Sequence, residues 1–181
     1  MLSFPHIAPL TAYAAELRSR NVGVVPDFDP LDGGVEARVL FLFEKPGPMT
    51  SEYEERTGSG FISRNNDDPT AEATFTFMAK AGIPRSLTVI WNVVPWWNGT
   101  RKVTAHELRE GAACVEQLVK LLPNLSAVVM VGDRAARAKQ YLETTTLTLI
   151  ASCHPSPIVR ATNRAKWETI PSQWAQVMLG R

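Results

Sequence analysis

Apolar positions recur along this chain with two spacings, and the two alternate. Over residues 7–20, Leu10, Ala14 and Leu17 fall at helical spacing and predict a first helix. Residues 21–36 carry Pro26, Pro30, Gly33 and Gly34 and predict a turn-rich connection. Residues 37–43, Ala-Arg-Val-Leu-Phe-Leu-Phe, are almost continuously apolar, the pattern of a strand buried on both faces of a parallel sheet. A long polar loop follows over residues 44–67. Asp68 before Pro69 is helix-start chemistry, and the helix it predicts runs to Gly82 with Phe75, Met78 and Ala79 inward. Residues 87–94 predict a second strand. Thr104 with Glu107 forms a capping box, and the helix behind it carries a stripe of Leu108, Ala112, Val115, Val119 and Leu122. Residues 126–131 predict a third strand. Asp133 is expected to cap a helix that runs to about Leu142. Residues 146–151 predict a fourth strand, and 167–179 a last helix.

Strands alternating with helices imply a parallel sheet with helices on both faces. In such sheets ligands bind beyond the carboxyl ends of the strands. The four ends here read Glu44-Lys45-Pro46-Gly47, Asn92-Val93-Val94-Pro95, Gly132-Asp133-Arg134 and Cys153-His154-Pro155-Ser156-Pro157. They imply one cleft rimmed by Glu44, Asn92 and His154. The competing reading is that strand-to-helix loops are polar everywhere.

Composition narrows the classes. With 181 residues, 45% hydrophobic and 20% charged, the chain is expected to form a single domain over 1–181. No apolar run reaches membrane-spanning length, and Met1–His6 has no basic segment leading into an apolar core, so neither a membrane partner nor a secretory signal is expected. Two cysteines are too few for a disulfide framework and point to a reducing, cytoplasmic setting. The net charge of +1 does not announce a nucleic-acid partner, so any basic surface is local. Trp96, Trp97, Arg101 and Lys102 follow the second strand; Arg160, Arg164 and Lys166 follow the fourth. Cations interleaved with aromatics suit backbone and base contact. Alternatively, the tryptophan pair fills the core behind a solvated basic rim. Cys153 reads as a small buried residue, not a nucleophile beside His154.

Glu44-Lys45-Pro46-Gly47 after an apolar strand, Asn92 at a strand end, and His154-Pro155-Ser156-Pro157 after the last strand resemble the uracil-DNA glycosylase superfamily. The motifs fall in the same order, over roughly residues 37–174. The resemblance implies an α/β fold of three α/β/α layers around a central four-stranded parallel sheet. It also implies a DNA repair enzyme that flips uracil from DNA and hydrolyses its N-glycosidic bond, leaving an abasic site. In that role His154 hydrogen-bonds the uracil O2 as charge builds on the departing base, and Asn92 reads the uracil edge. Phe61 stacks on the flipped base, and Pro46 and Gly47 bring backbone close to it. Ile158 enters the stack where the base left, with Val159 as the other candidate. Lys45, Arg101, Ser156, Arg160 and Arg164 are candidate DNA contacts.

The chemistry asks for such groups. A base inside a duplex is unreachable until flipped. One fixed donor at a developing anion is worth roughly 3 kcal/mol. An amide offers both the donor and the acceptor that an imide edge requires.

Two departures from the family pattern matter. Iron-sulfur branches need four cysteine ligands, so this chain is expected to carry no cofactor. Lysine stands at position 45, where several branches place Asp or Asn and another places a small residue after Glu. The water-holding group is then Glu44 or Asp67. Asn65 or Asn66 could position the water instead, and Asp68 is expected as the helix cap. Lys45 is read as a partner of Glu44, as a phosphate contact, or as an amine nucleophile with lyase chemistry. Uracil-containing DNA is the expected partner and a monomer the expected state. A non-catalytic damaged-base or nucleotide binder, or a glycosylase for hypoxanthine or xanthine, is the alternative.

Overall fold

The computed structural model describes residues 1–50, 58–142 and 146–178. In chain order the elements are α1 (Ala8–Ser19), β1 (Asp27–Phe28), β2 (Val39–Phe43), β3 (Phe61–Ile62), α2 (Pro69–Lys80), β4 (Thr88–Asn92), α3 (Ala105–Lys120) and β5 (Ala127–Val131). Then come α4 (Asp133–Ala136), α5 (Lys139–Leu142), β6 (Thr148–Ser152), α6 (Pro157–Thr162), α7 (Arg164–Glu168) and α8 (Ile170–Ala175). Strands β4, β2, β5 and β6 lie in that order in one sheet, and every pairing is parallel.

Each face of the sheet has its own cover. On one face Phe41 of β2 meets Trp174 of α8 edge-on, and Phe77 of α2 packs against both Trp167 and Trp174. On the other face Trp91 of β4 stacks on Phe28, which neighbours Tyr13 of α1. The Tyr13 hydroxyl donates to the Cys114 carbonyl of α3 at 2.6 Å, tying α1 to α3. The sheet between these layers is apolar on both sides: Leu40, Phe41, Leu42, Val128, Val129, Met130 and Val131 have no exposed surface. This is the expected three-layer architecture.

The local start signals act as expected at two helices. The Asp68 carboxylate accepts from the Thr70 and Ala71 amides and starts α2. Thr104 and Glu107 form the full capping box that starts α3. Elsewhere the structure corrects the expectations. The buried side of α2 is Ala71, Thr74, Phe77 and Met78, while Phe75 is 53% exposed and Ala79 is exposed too. Both phases were open to the pattern; the tryptophans of α7 and α8 select the one that presents Phe77. Asp133 does not cap: Gly132 takes the N-cap position with φ of 93°, and the segment breaks into α4 and α5. The last helix, expected over 167–179, is broken between α7 and α8, and a further helix, α6, precedes it in a segment not expected to be helical. Asn163, at φ −150°, ends α6 and caps α7, and Pro157 and Pro171 open α6 and α8. Trp96 and Trp97 are buried and fill the core, so they offer no surface to a base. Two segments expected as loop contain the short parallel pair β1–β3, with Asp27 opposite Phe61 and Phe28 opposite Ile62. Two-residue strands carry no periodicity to read.

The strand order places the site. From β2 the chain moves to one side, to β4; from β5 it moves to the other, to β6. The carboxyl ends of β2 and β5 are therefore the topological switch point, where open parallel sheets bind ligands.

Candidate active site

Register decides which side chains meet at this edge. Phe43, the last residue of β2, pairs with Asn92, the last residue of β4, so both side chains leave the same face. At the far side Ser152 ends β6 on this face as well, since its hydroxyl accepts from the Trp174 indole at 2.7 Å. His154, two residues on, continues that side. Its imidazole packs edge-on against the Phe43 ring, at 5.5 Å between centroids and 88° between planes. Asn92 and His154 are thus brought together across Phe43, on the face covered by α2 and α8.

Both polar groups are free. Asn92 is only 4% exposed, yet among the described residues its amide has no hydrogen-bond partner. The same holds for the His154 imidazole. Burial lowers the His154 pKa to about 4, with the Asp68 carboxylate opposing the shift. The ring is therefore neutral near pH 7, with one N–H to donate and one lone pair. Backbone fixes its place. A Cβ on Gly132 would come within 3.2 Å of His154 Cβ and 3.3 Å of Cδ2. Gly132 thus lets the imidazole lie directly on the β5–α4 turn.

The segment after β2 divides its duties differently from the expectation. Glu44 pairs with Arg134 of α4, Nη1 to Oε1 at 3.0 Å, and not with Lys45. That bridge spans the switch point. Lys45 turns inward, its side chain 3% exposed. Its ammonium donates to Glu107 Oε1 at 2.8 Å, Asn98 Oδ1 at 2.7 Å and the Lys102 carbonyl at 3.3 Å. Lys45 is therefore neither a phosphate contact nor a partner of Glu44. Its three N–H groups are used, which leaves no geometry for an amine nucleophile. Burial raises the Glu107 carboxyl, but hydrogen bonds from Lys45 and the Thr104 amide outweigh it and hold the pKa at about 2. Pro46 is buried beside this pair. Gly47 is half-buried, and a Cβ there would lie 4.0 Å from the Arg101 guanidinium.

The other candidates fall as follows. Phe61 forms half of β3 and is part-exposed, and its ring has no aromatic neighbour among the described residues. Its carbonyl accepts from Asn66 Nδ2 at 3.0 Å. The loop that carries Phe61 is anchored by a buried ionic cluster. Arg64 donates to Asp32 at 3.2 Å, Arg85 bridges Asp32 and Asp29, and Ser63 donates to Asp29. Asp67 is exposed and has no hydrogen-bond partner among the described residues. Asp68, the α2 cap, is the carboxylate that His154 feels.

Ser156 caps α6, its hydroxyl oxygen accepting from the Val159 amide at 3.3 Å. Ile158, in the first turn of that helix, is 74% exposed, while Val159 is half-buried. Arg160 lies over the Trp167 ring at 5.1 Å, and Arg164 pairs with Glu168 at 2.8 Å. Cys153 is half-buried, its amide donating to Gln173 Oε1.

Phe43 was not singled out from sequence, and Gly132 and Arg134 were noted only as part of the third strand's end. Phe43 closes an apolar run and reads as core. Alternation from Asn92 would have found it only with the register known.

An unpartnered amide and a neutral imidazole on one sheet face can hold the polar edge of a flat heterocycle and accept charge developing on it. The comparisons agree with that geometry. No relative among curated proteins matches the chain. A family model described as the uracil DNA glycosylase superfamily matches residues 30–176, a span that holds the whole four-stranded sheet, the helices from α2 to α8 and every candidate site residue. The chain therefore belongs to the uracil-DNA glycosylase superfamily and has a DNA glycosylase-type role.

Proposed function

We propose that this chain excises uracil from DNA as a monofunctional glycosylase, hydrolysing the N-glycosidic bond and leaving an abasic site. The observation that carries the reading is the pair of free polar groups, Asn92 and His154, on one sheet face across Phe43. Asn92 offers a donor and an acceptor to the imide edge of uracil. The His154 N–H meets the O2 oxygen, where negative charge gathers as the bond to the sugar breaks. A neutral donor stabilises that anion without delivering a proton to the ground state, so its contribution grows toward the transition state. Phe61 supplies a stacking face, held in place by the Asp29–Arg85–Asp32–Arg64 cluster. Ile158 has the exposure that a wedge into the base stack requires.

The remaining charge is on the sugar. Glu44, fixed by Arg134 at the switch point, stabilises the cationic sugar and orients the water that traps it. The buried ion pair of Lys45 leaves hydrolysis as the route. The test is an oligonucleotide with a single uracil, incubated with the protein and then with alkali. Strand cleavage at the uracil position is the expected result, and His154→Ala slows it about 100-fold. Tight binding without an alkali-labile site would make the protein a damaged-base reader instead.

A further inference from the structure

Two polar groups are assigned to the base, and the space between them is occupied by Phe43. Asn92 flanks it by register and His154 closes on its other side with an edge contact. One step down the strand, on the same face, Phe41 and Trp174 meet at 4.9 Å, both fully buried. The Phe43 ring cannot sink into that layer, because a close-packed core has no room to receive it. Phe43 itself is only part-buried, so it sits at the edge of the packed layer rather than inside it. An aromatic ring therefore forms the floor between the two polar groups.

The floor sets a depth, and depth distinguishes the two classes of nucleobase. In a pyrimidine the glycosidic nitrogen belongs to the same ring as the edge that is read. In a purine a fused five-membered ring stands between them. With the sugar held at the cleft mouth, a purine edge must reach one ring deeper. We propose that Phe43 is a specificity-determining residue that restricts this pocket to pyrimidines and excludes hypoxanthine and xanthine. The inference rests on the uracil reading of the same site and adds to it the substrate class that the pocket rejects. Forcing extra ring atoms against a packed wall costs roughly 10- to 100-fold in relative rate.

The experiment compares single-turnover excision of uracil and of hypoxanthine from otherwise identical oligonucleotides, by the wild type, Phe43→Ala and Phe43→Leu. Leucine keeps an apolar contact under His154 and protects the fold, and thermal melting verifies each variant. The expected wild type favours uracil by roughly 10- to 100-fold. Both variants shift that ratio toward hypoxanthine, alanine by roughly 10-fold or more. A purely structural role lowers both rates together and leaves the ratio unchanged, which would overturn the inference. So would a wild type that excises hypoxanthine as readily as uracil. Wild type active on uracil with an unshifted ratio removes Phe43 alone; wild type inactive on both bases removes the uracil reading and the inference with it.

Discussion

His154 carries its proposed chemistry uncharged, and the same burial that suppresses its charge makes it a liability in acid. Its pKa lies near 4 in the folded protein against 6.5 for the ordinary side chain, burial being the main cause and Asp68 the opposing one. Between those values the unfolded chain binds the proton more readily than the folded one. Stability is therefore complete above about pH 6.5 and falls as pH drops toward 4. Urea unfolding at pH 7 and pH 4.5 is expected to show this loss in the wild type and less of it in His154→Ala; equal losses would mean that another group is responsible. Gly132 tests position rather than charge. Its φ of 93° with ψ of 155° lies in a region open essentially to glycine, so Gly132→Ala costs about 1–3 kcal/mol in strain and pushes its methyl group against His154. Excision by that variant should fall with little change in DNA affinity, which fluorescence anisotropy measures. His154 and Asn92 were legible because a polar residue ending an apolar strand is conspicuous. Phe43 and Lys45 were not. An aromatic in an apolar run looks like core, and no sequence pattern shows that a lysine finds its carboxylate 62 residues away.

That long-range pair joins two elements. Glu107 serves both: one carboxylate oxygen accepts from Lys45, and the other closes the capping box on Thr104 that starts α3. The loop after β2 is thereby fixed to the first turn of α3, which sets where Pro46 and Gly47 stand. Without Lys45 the half-buried Glu107 carboxylate keeps its hydrogen bonds from Thr104 and Asn98 but loses its cation, at a cost of about 1–3 kcal/mol. Lys45→Ala should lose stability on that order in urea unfolding. Borohydride should trap no covalent adduct on uracil DNA even in the wild type, and an adduct that Lys45→Ala abolishes would reinstate the amine route. The pair has its own acid window. The Glu107 pKa of about 2 lies below the ordinary 4.5, so its contribution is full above pH 4.5 and lost as pH falls toward 2. Elements with strong local signals, the apolar strands and the two capped helices, were legible from sequence. The phase of α2 and the extra helix α6 were not, because they depend on Trp167 and Trp174 and on the backbone break at Asn163 that separates α6 from α7.

The molecule as a whole is nearly neutral, with 19 basic and 18 acidic residues, so DNA attraction must come from where the charges lie. Many cations are spent inside the fold. Lys45, Arg64 and Arg85 are tied to buried carboxylates, and Arg134 holds Glu44. The cations left for phosphate are those on the loops and helices that follow the strand ends. Arg101 lies beside Gly47 and has no ion-pair partner among the described residues. Arg160 is stacked on Trp167, which orients it without neutralising it. Arg164 is shared with Glu168, so a phosphate must displace a carboxylate to reach it. Each phosphate neutralised releases counterions, with a slope of about −0.9 per contact in log K against log salt. Three such contacts predict a slope of about −3, modest for a DNA-binding protein and consistent with the small net charge. Arg101→Ala and Arg160→Ala should each flatten the slope by about one. Arg164→Ala should flatten it less, since Glu168 already offsets that charge, and Lys45→Ala should leave the slope unchanged while lowering stability. Titration of a labelled uracil oligonucleotide at several salt concentrations measures all four. A slope that no arginine variant alters would move the DNA to a different face of the protein. A slope that Lys45→Ala alone flattens would mean that the buried pair opens when DNA binds.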